Sequence, residues 1–218
     1  MKIKITDLFT VNTPYIKPLF DECVYPWELL SKIGAYILAL LNSPPSDLTE
    51  LKEGVLVGKD TEISSSATII APAIIGSGTK IRPGAYLRGN VITGKDCVIG
   101  NSSEVKNSIL LDNASLPHYN YAGDSIIGNF AHMGAGSVLS NLKLGGKYVI
   151  IHAENDYETN LRKVGAFLGD GADIGCSSVL NPGTIIGKGS CVYPLTSVRG
   201  VIPENSIVKS ANNIVTKR

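Results

Sequence analysis

The sequence predicts an all-β solenoid, a parallel β-helix of hexapeptide repeats, preceded by an α-helical segment and interrupted by one long excursion. Three observations predict it. From Val57 onward an aliphatic side chain returns every sixth residue, through Ile63, Ile69, Ile75, Ile81, Leu87, Ile99, Val105 and Leu111, with Thr93 the polar exception. Four residues after these stand mostly small ones, among them Thr61, Ala67, Ala73, Thr79, Ala85, Cys97 and Ser103, and Gly58, Gly76, Gly94 and Gly100 directly follow aliphatic positions. The 218 residues hold 40 Ile and Val against only 14 aromatics. A period of six is neither helical nor the alternation of a single strand, and a fixed short repeat marks stacked coils.

The packing rule follows from the pattern. The aliphatic residue fills the interior, the small residue occupies a crowded inner corner, and glycine adopts turn conformations that a Cβ would oppose. Three hexapeptides close one triangular coil of 18 residues, and successive coils pair as parallel strands about 4.8 Å apart. Bulky rings do not fit so narrow an interior.

Residues 1–54 read as a helical cap. Pro26 suits the first turn of a helix, which is predicted to run to about Asn42 with Trp27, Leu30, Ile33, Ile37, Leu38 and Leu41 along one face. Ser43-Pro44-Pro45-Ser46 stops it, and the cap is expected to cover the open end of the stack, as terminal units of solenoids do. The β-helix is assigned to 55–203, and a tail with Lys209, Lys217 and Arg218 to 204–218.

The phase breaks twice. After Leu111 the next members are Tyr121, Ile127, Met133 and Leu139, displaced by four residues at Leu116-Pro117-His118-Tyr119-Asn120, where a bulge or loop is expected. The pattern then vanishes over 140–167 and resumes at Leu168, Ile174, Leu180, Ile186, Val192 and Val198. So long an excursion points to function or subunit contact.

Composition narrows the partners. A net charge of +1 gives no general attraction to nucleic acid or anionic lipid. Cys23, Cys97, Cys176 and Cys191 are widely spaced without a C-x-x-C pair, which argues against zinc and a disulfide framework. No apolar stretch near the N-terminus is long enough to span a bilayer. A soluble, cytoplasmic protein with reduced thiols is expected, with no membrane or nucleic-acid partner and no metal.

Stacking arithmetic selects a site. Positions 18 apart lie one above another, so Arg82, Gly100 and His118 are predicted to share a column whose ends are two coils, about 9.6 Å, apart. Gly100 would leave room for a small sugar phosphate, and Arg88 and Lys106 form a neighbouring column. Histidine has the pKa range for general-base work near neutrality.

Four segments then carry a resemblance. They are Ile81-Arg82-Pro83-Gly84-Ala85, Gly100-Asn101-Ser102-Ser103-Glu104-Val105-Lys106, His118-Tyr119-Asn120-Tyr121-Ala122-Gly123-Asp124 and Gly134-Ala135-Gly136-Ser137-Val138-Leu139-Ser140-Asn141. In order and spacing they resemble the acetyltransferase half of the bifunctional glucosamine-1-phosphate acetyltransferase and N-acetylglucosamine-1-phosphate uridyltransferase family, over about residues 55–209. Arg162-Lys163-Val164-Gly165-Ala166-Phe167-Leu168-Gly169 is similar to the archaeal members. No Gly-rich nucleotidyltransferase signature precedes the repeat, so uridyl transfer is not expected.

The resemblance implies a left-handed β-helix, a homotrimer with sites between subunits, and acetyl transfer from acetyl-CoA to the amino group of glucosamine 1-phosphate. By the same resemblance His118 is the general base, and Arg82, Lys106 and Tyr121 are phosphate or sugar ligands. Glu104 is a sugar contact, Asn141 and Lys147 close over the sugar from the excursion, and Ala135, Cys176 and Lys209 contact the coenzyme. The match departs at His132, where bacterial members carry Asn, and at Cys176, where Ser is usual. Galactosamine 1-phosphate or a nucleotide-linked amino sugar therefore stays open as acceptor.

Two other classes stay open beside this one. A metal enzyme similar to the γ-class carbonic anhydrases would use three histidines, and His118, His132 and His152 are present, but His152 lies in the excursion and the close two-histidine spacing is missing. A non-catalytic trimeric scaffold is the other, although it would have little reason to keep Arg82, Lys106, His118, Tyr121 and Asn141 together.

Overall fold

In the computed structural model, which describes residues 2–217, the repeats wind into a left-handed parallel β-helix; Arg218 of the expected tail lies outside the described residues. Each coil adds short strands to three sheets of 9, 7 and 9 strands. One sheet turns Leu56, Ile74, Ile92, Ile109, Ile126, Phe167, Ile185 and Val201 outward in register, and all are buried beneath other chain. This is the covered face. The next sheet round each coil, the histidine face, presents Ser115, His132, Asp173 and Cys191 in one column. The third, the tyrosine face, presents Tyr86, Glu104, Tyr121, Val138 and Val179.

The interior is the aliphatic column the repeat predicts, from Ile69, Ile75 and Ile81 to Ile186, Val192 and Val198. The first phase break has a different form from the expected loop. Ser115–His118 is a strand, and the phase changes because two coils are each one residue short: Val91 pairs with Ser108, and Ile109 with Ile126. The preceding coil turns onto the covered face through Gly89 and Asn90, at φ 81° and 51°, whereas the next two use one left-handed residue each, Asn107 at 47° and Asp124 at 49°. Losing two residues shifts a six-residue phase as far as gaining four. Leu110, Leu116 and Ala122 therefore enter the interior, and Tyr121 is left half-buried on the tyrosine face.

The N-terminal segment also differs from expectation, because it lies along the covered face and not over the end of the stack. Lys2 pairs with Glu204, Thr10 with Asp170, Thr13 with Asp112, and the Tyr15 hydroxyl with the Thr93 carbonyl, so the segment descends the stack coil by coil. The cause is the outward aliphatic column, since full burial of each such side chain is worth about 1.5–3 kcal/mol. The single expected helix is two, Pro26–Leu29 and Ile33–Asn42. Between them the Leu30 carbonyl accepts from Asn107 Nδ2 at 3.2 Å and leaves the helical ladder. Leu38, expected on the apolar face, is 54% exposed.

Hairpins close both ends of the stack. Leu48–Lys52 pairs antiparallel with Val55–Gly58, and Asn213–Thr216 folds back on Ser206–Ser210, which continues the histidine face. The excursion closes at its base through Leu142 and Lys163 and contains an antiparallel pair, Ile150–His152 with Asp156–Glu158. Its Val149, Ile151 and Val164 are buried with the N-terminal helices, and Tyr157 packs on Tyr25 and Trp27. N-terminal segment and excursion thus form one layer on one face.

Candidate active site

The corner between the histidine and tyrosine faces carries the first group. The Tyr119 N–H donates to the Asn101 carbonyl, Gly136 to His118, Ser177 to Ala135 and Leu195 to Cys176. This ladder stacks Asn101, His118, Ala135 and Cys176 one above another at about 4.8 Å per coil. His118 and Cys176 are exposed. Each of these turns contains a left-handed residue, Ser102, Tyr119, Gly136, Ser177 or Leu195, which turns the preceding side chain to the outside. Lys209 is exposed and adjoins Val208, which pairs with Val192, so it stands two coils beyond Cys176.

Arg82 does not share this column. The short coil places it beneath Gly100 and Pro117, and His118 stands over Asn101. Nor does Gly100 leave open space, because a Cβ there would run into the Pro117 carbonyl; glycine is needed so that the next coil can approach. Arg82 lies 3.8 Å from Glu62 on the coil below.

The second group lies on the tyrosine face. Lys106 Nζ donates to both carboxylate oxygens of Asp124 at 3.1 Å. Asp124 also accepts from Asn107 Nδ2 at 2.9 Å and from the Asn141 amide. Gly123 makes room here, since a Cβ would meet the Tyr121 hydroxyl and the Asn141 amide. Burial raises the Tyr121 pKa, and the charges of Glu104 and Asp124 push it the same way. Glu104 binds Arg88 Nη1 at 2.7 Å, a bond that raises the Arg88 pKa.

Of the predicted residues, Glu104, Lys106, Tyr121 and Asn141 come together here, and His118, Ala135 and Cys176 share the adjoining corner. Lys147 is exposed on the excursion and lines a hollow of about 450 Å³ with Lys143, Tyr148 and Asn160. Sequence reasoning missed Asp124, the hub of the lysine cluster. Its signal was the pair of short coils, whose corner residues are Asn107 and Asp124.

His132 and His152 each bond a carboxylate of their own, Asp173 at 2.9 Å and Asp156 at 2.8 Å. Among the described residues no three His, Cys, Asp or Glu side chains are grouped to hold a metal, and no helix is long and apolar enough to cross a membrane.

Residues 69–161 match the family model of the GMPPB C-terminal domain. The bifunctional protein GlmU of Methanococcus maripaludis is 29% identical over 219 aligned positions, covering 99% of this chain and 53% of that protein. This chain resembles one half of GlmU. It spans about half the length of the curated relatives it matches, and the GlmU of Methanococcus vannielii repeats the relation at 30% identity, 88% of this chain and 47% of that one. A bifunctional sugar-1-phosphate nucleotidylyltransferase/acetyltransferase of Sulfurisphaera tokodaii is 35% identical over 149 residues, 68% of this chain and 37% of its own. Among solved structures, a UDP-N-acetylglucosamine acyltransferase from Campylobacter jejuni superposes with a TM-score of 0.52 at 15% identity, covering 75% of this chain and 71% of that one. That likeness is one of fold.

Proposed function

We propose that this GlmU relative is an N-acetyltransferase that moves acetyl from acetyl-CoA to the amino group of a hexosamine 1-phosphate, glucosamine 1-phosphate foremost, with His118 as general base. The observation that carries the reading is the corner column: an exposed imidazole with Ala135 and Cys176 directly above it, beside the face that holds Lys106, Tyr121 and Asn141. The relatives with nucleotidylyltransferase/acetyltransferase names supply the reaction class.

The chemistry assigns each group a task. The amine attacks the thioester carbonyl carbon only as its lone pair becomes free, and His118 takes the proton it sheds. The tetrahedral intermediate then expels the CoA thiolate, so no covalent acyl-enzyme forms and no cysteine reacts. Lys106 carries three donors; two serve Asp124, and the third serves the acceptor phosphate. Arg82 is a second phosphate ligand, and Tyr121, Glu104 and Asn141 hold the sugar. Ala135 and Cys176 offer a small-residue track for the pantetheine arm, with Lys209 further along for coenzyme phosphate and Lys147 closing from the excursion. Association as a homotrimer sets the uncovered histidine and tyrosine faces of neighbouring copies together, so that sites form between subunits.

A thiol-release assay with acetyl-CoA and a panel of amino sugars, their 1-phosphates and nucleotide-linked forms tests the reading. Acceptor-dependent release is expected to be greatest with a hexosamine 1-phosphate and to fall by about 10²–10⁴-fold in His118→Ala. Absence of turnover with every amino sugar overturns the enzyme, and full activity in His118→Ala overturns the base.

A further inference from the structure

One residue breaks the packing rule of its corner column, and it stands two residues after His118. The ladder of N–H groups from the tyrosine face runs to the carbonyls of Ala85, Ser103, Asn120, Ser137, Ser178 and Thr196, which together with Ala67 below them form the small-residue column of this corner. Every member except Asn120 is Ala, Ser or Thr. Asn120 is 2% exposed and fully bonded. Its Nδ2 donates upward to the Gly134 carbonyl at 2.8 Å and to Ser137 Oγ at 3.0 Å, and its Oδ1 turns back to accept the His118 N–H at 3.1 Å. Its own N–H donates to Ser103 Oγ at 3.2 Å on the coil below.

A serine in this column reaches one neighbouring coil, as Ser103 does in donating to the Leu116 carbonyl at 3.0 Å. The longer amide of Asn120 also reaches the backbone of the residue that carries the imidazole. Tyr119, between them, holds a left-handed φ of 51°, so the His118-Tyr119-Asn120 turn is closed by a side chain as well as by the ladder. The ring of His118 itself is exposed and has no side-chain partner among the described residues. Its direction is therefore set by the backbone from which it projects. A general base must sit within hydrogen-bond reach of the proton it takes, and small displacements of such a group are costly.

We infer that Asn120 is a positioning residue for His118, and the inference rests on the reading of His118 as the base. The two can fail separately. Asn120→Ser restores the residue type found in the same column at 103, 137 and 178, so the stack keeps its corner while the tie to His118 and one of the two amide donors to the coil above are lost.

The test combines steady-state kinetics of wild type, Asn120→Ser, His118→Ala and the double variant with ¹³C–¹H relaxation of the imidazole Cε1 sites. With three histidines in the chain, His118 is assigned by its disappearance in His118→Ala. Asn120→Ser is expected to lower kcat at least tenfold with the KM for acetyl-CoA within twofold, and to cost less than twofold in the His118→Ala background. In the same variant the His118 signal alone becomes more mobile, while His132 and His152 are unchanged. An unchanged His118 signal, or an equal loss of rate with and without His118, overturns the positioning role. A wild type inert toward every amino sugar, with His118 still loosened by Asn120→Ser, overturns the acetyltransferase reading and leaves the positioning of His118 standing.

Discussion

Lys106 Nζ lies 3.1 Å from both carboxylate oxygens of Asp124, a residue only 4% exposed that also takes the side-chain amides of Asn107 and Asn141. One carboxylate thus ties a shortened coil, its neighbour and the second residue of the excursion. Asp124→Ala leaves three donors without their acceptor, and lost hydrogen bonds to a charged group cost about 1.5–3 kcal/mol each at most. Lys106 is partly exposed and recovers water, which moderates the total. The expected loss is about 2–4 kcal/mol, read as a fall in Tm of order 10 °C. An Asp124→Ala protein that melts with the wild type would show that the cluster carries no structural load.

Lys106 itself tests acceptor binding. Lys106→Met keeps the stem and removes the charge, so the KM for the phosphorylated acceptor is expected to rise at least tenfold while the KM for acetyl-CoA stays within twofold. The same variant should lose its preference for the 1-phosphate over the free amino sugar, because that preference comes from charge-assisted bonds to the phosphate. Equal preference in wild type and Lys106→Met would remove Lys106 from the acceptor site.

Gly100→Ala tests the spacing beneath His118. A Cβ at this position collides with the Pro117 carbonyl, so the strand Ser115–His118 must shift. Overpacking of this kind costs about 1–3 kcal/mol, and the displaced strand carries the proposed base. The variant is expected to melt several degrees lower and to lose CoA release more than tenfold. Wild-type melting and turnover would show that the coils have slack here.

What could be read from sequence, and what could not, divides along the same physics. The six-residue period is legible because the interior admits one aliphatic side chain per strand, and Ile69 to Val198 obey it on both sides of the excursion. The exact columns are not, because the phase registers only residues gained or lost modulo six, and the short corners at Asn107 and Asp124 mimic an insertion at 116–120. The covered face did leave a signal in its apolar doublets, Ile74-Ile75, Ile109-Leu110, Ile126-Ile127 and Ile185-Ile186, whose two members face opposite ways and are both buried. Lys106, Tyr121 and Asn141 were grouped through resemblance alone, since spacings of 15 and 20 residues are not multiples of six.

The aromatic contact between N-terminal segment and excursion carries its own expectation. Tyr25 stacks on Trp27 at 4.7 Å, and Trp27 meets Tyr157 at 5.9 Å and Phe167 at 6.3 Å. Trp27→Ala removes the shared ring, at a cost of about 3–5 kcal/mol, and loosens the layer from the coils. Limited proteolysis is expected to cut the excursion between 142 and 163 faster than in wild type while the repeats resist. Unaltered cleavage would mean that the excursion holds its place without Trp27.

Alkaline stability follows from a thiol in the corner between the covered and histidine faces. Cys97 is wholly buried, and burial pushes its pKa from 9.0 up to about 12. Below about pH 9 the thiol is neutral in folded and unfolded chains, and its contribution is fully present. As the pH rises from there toward 12, the unfolded chain releases a proton that the folded one keeps, so stability falls by up to about 1.4 kcal/mol per pH unit for this one group. The buried Tyr15 phenol, donating to the Thr93 carbonyl at 2.9 Å, is also raised by burial and adds to the fall at still higher pH. Ala114 and Ala131 occupy the Cys97 position in the next two coils, so Cys97→Ala fits the corner. At pH 7 this variant is expected to melt slightly below wild type, having lost the packing of one sulfur. Above pH 9 its Tm should decline less steeply, so that the two curves converge and then cross. Parallel curves from pH 7 to 11 would exclude Cys97 as a source of alkaline unfolding.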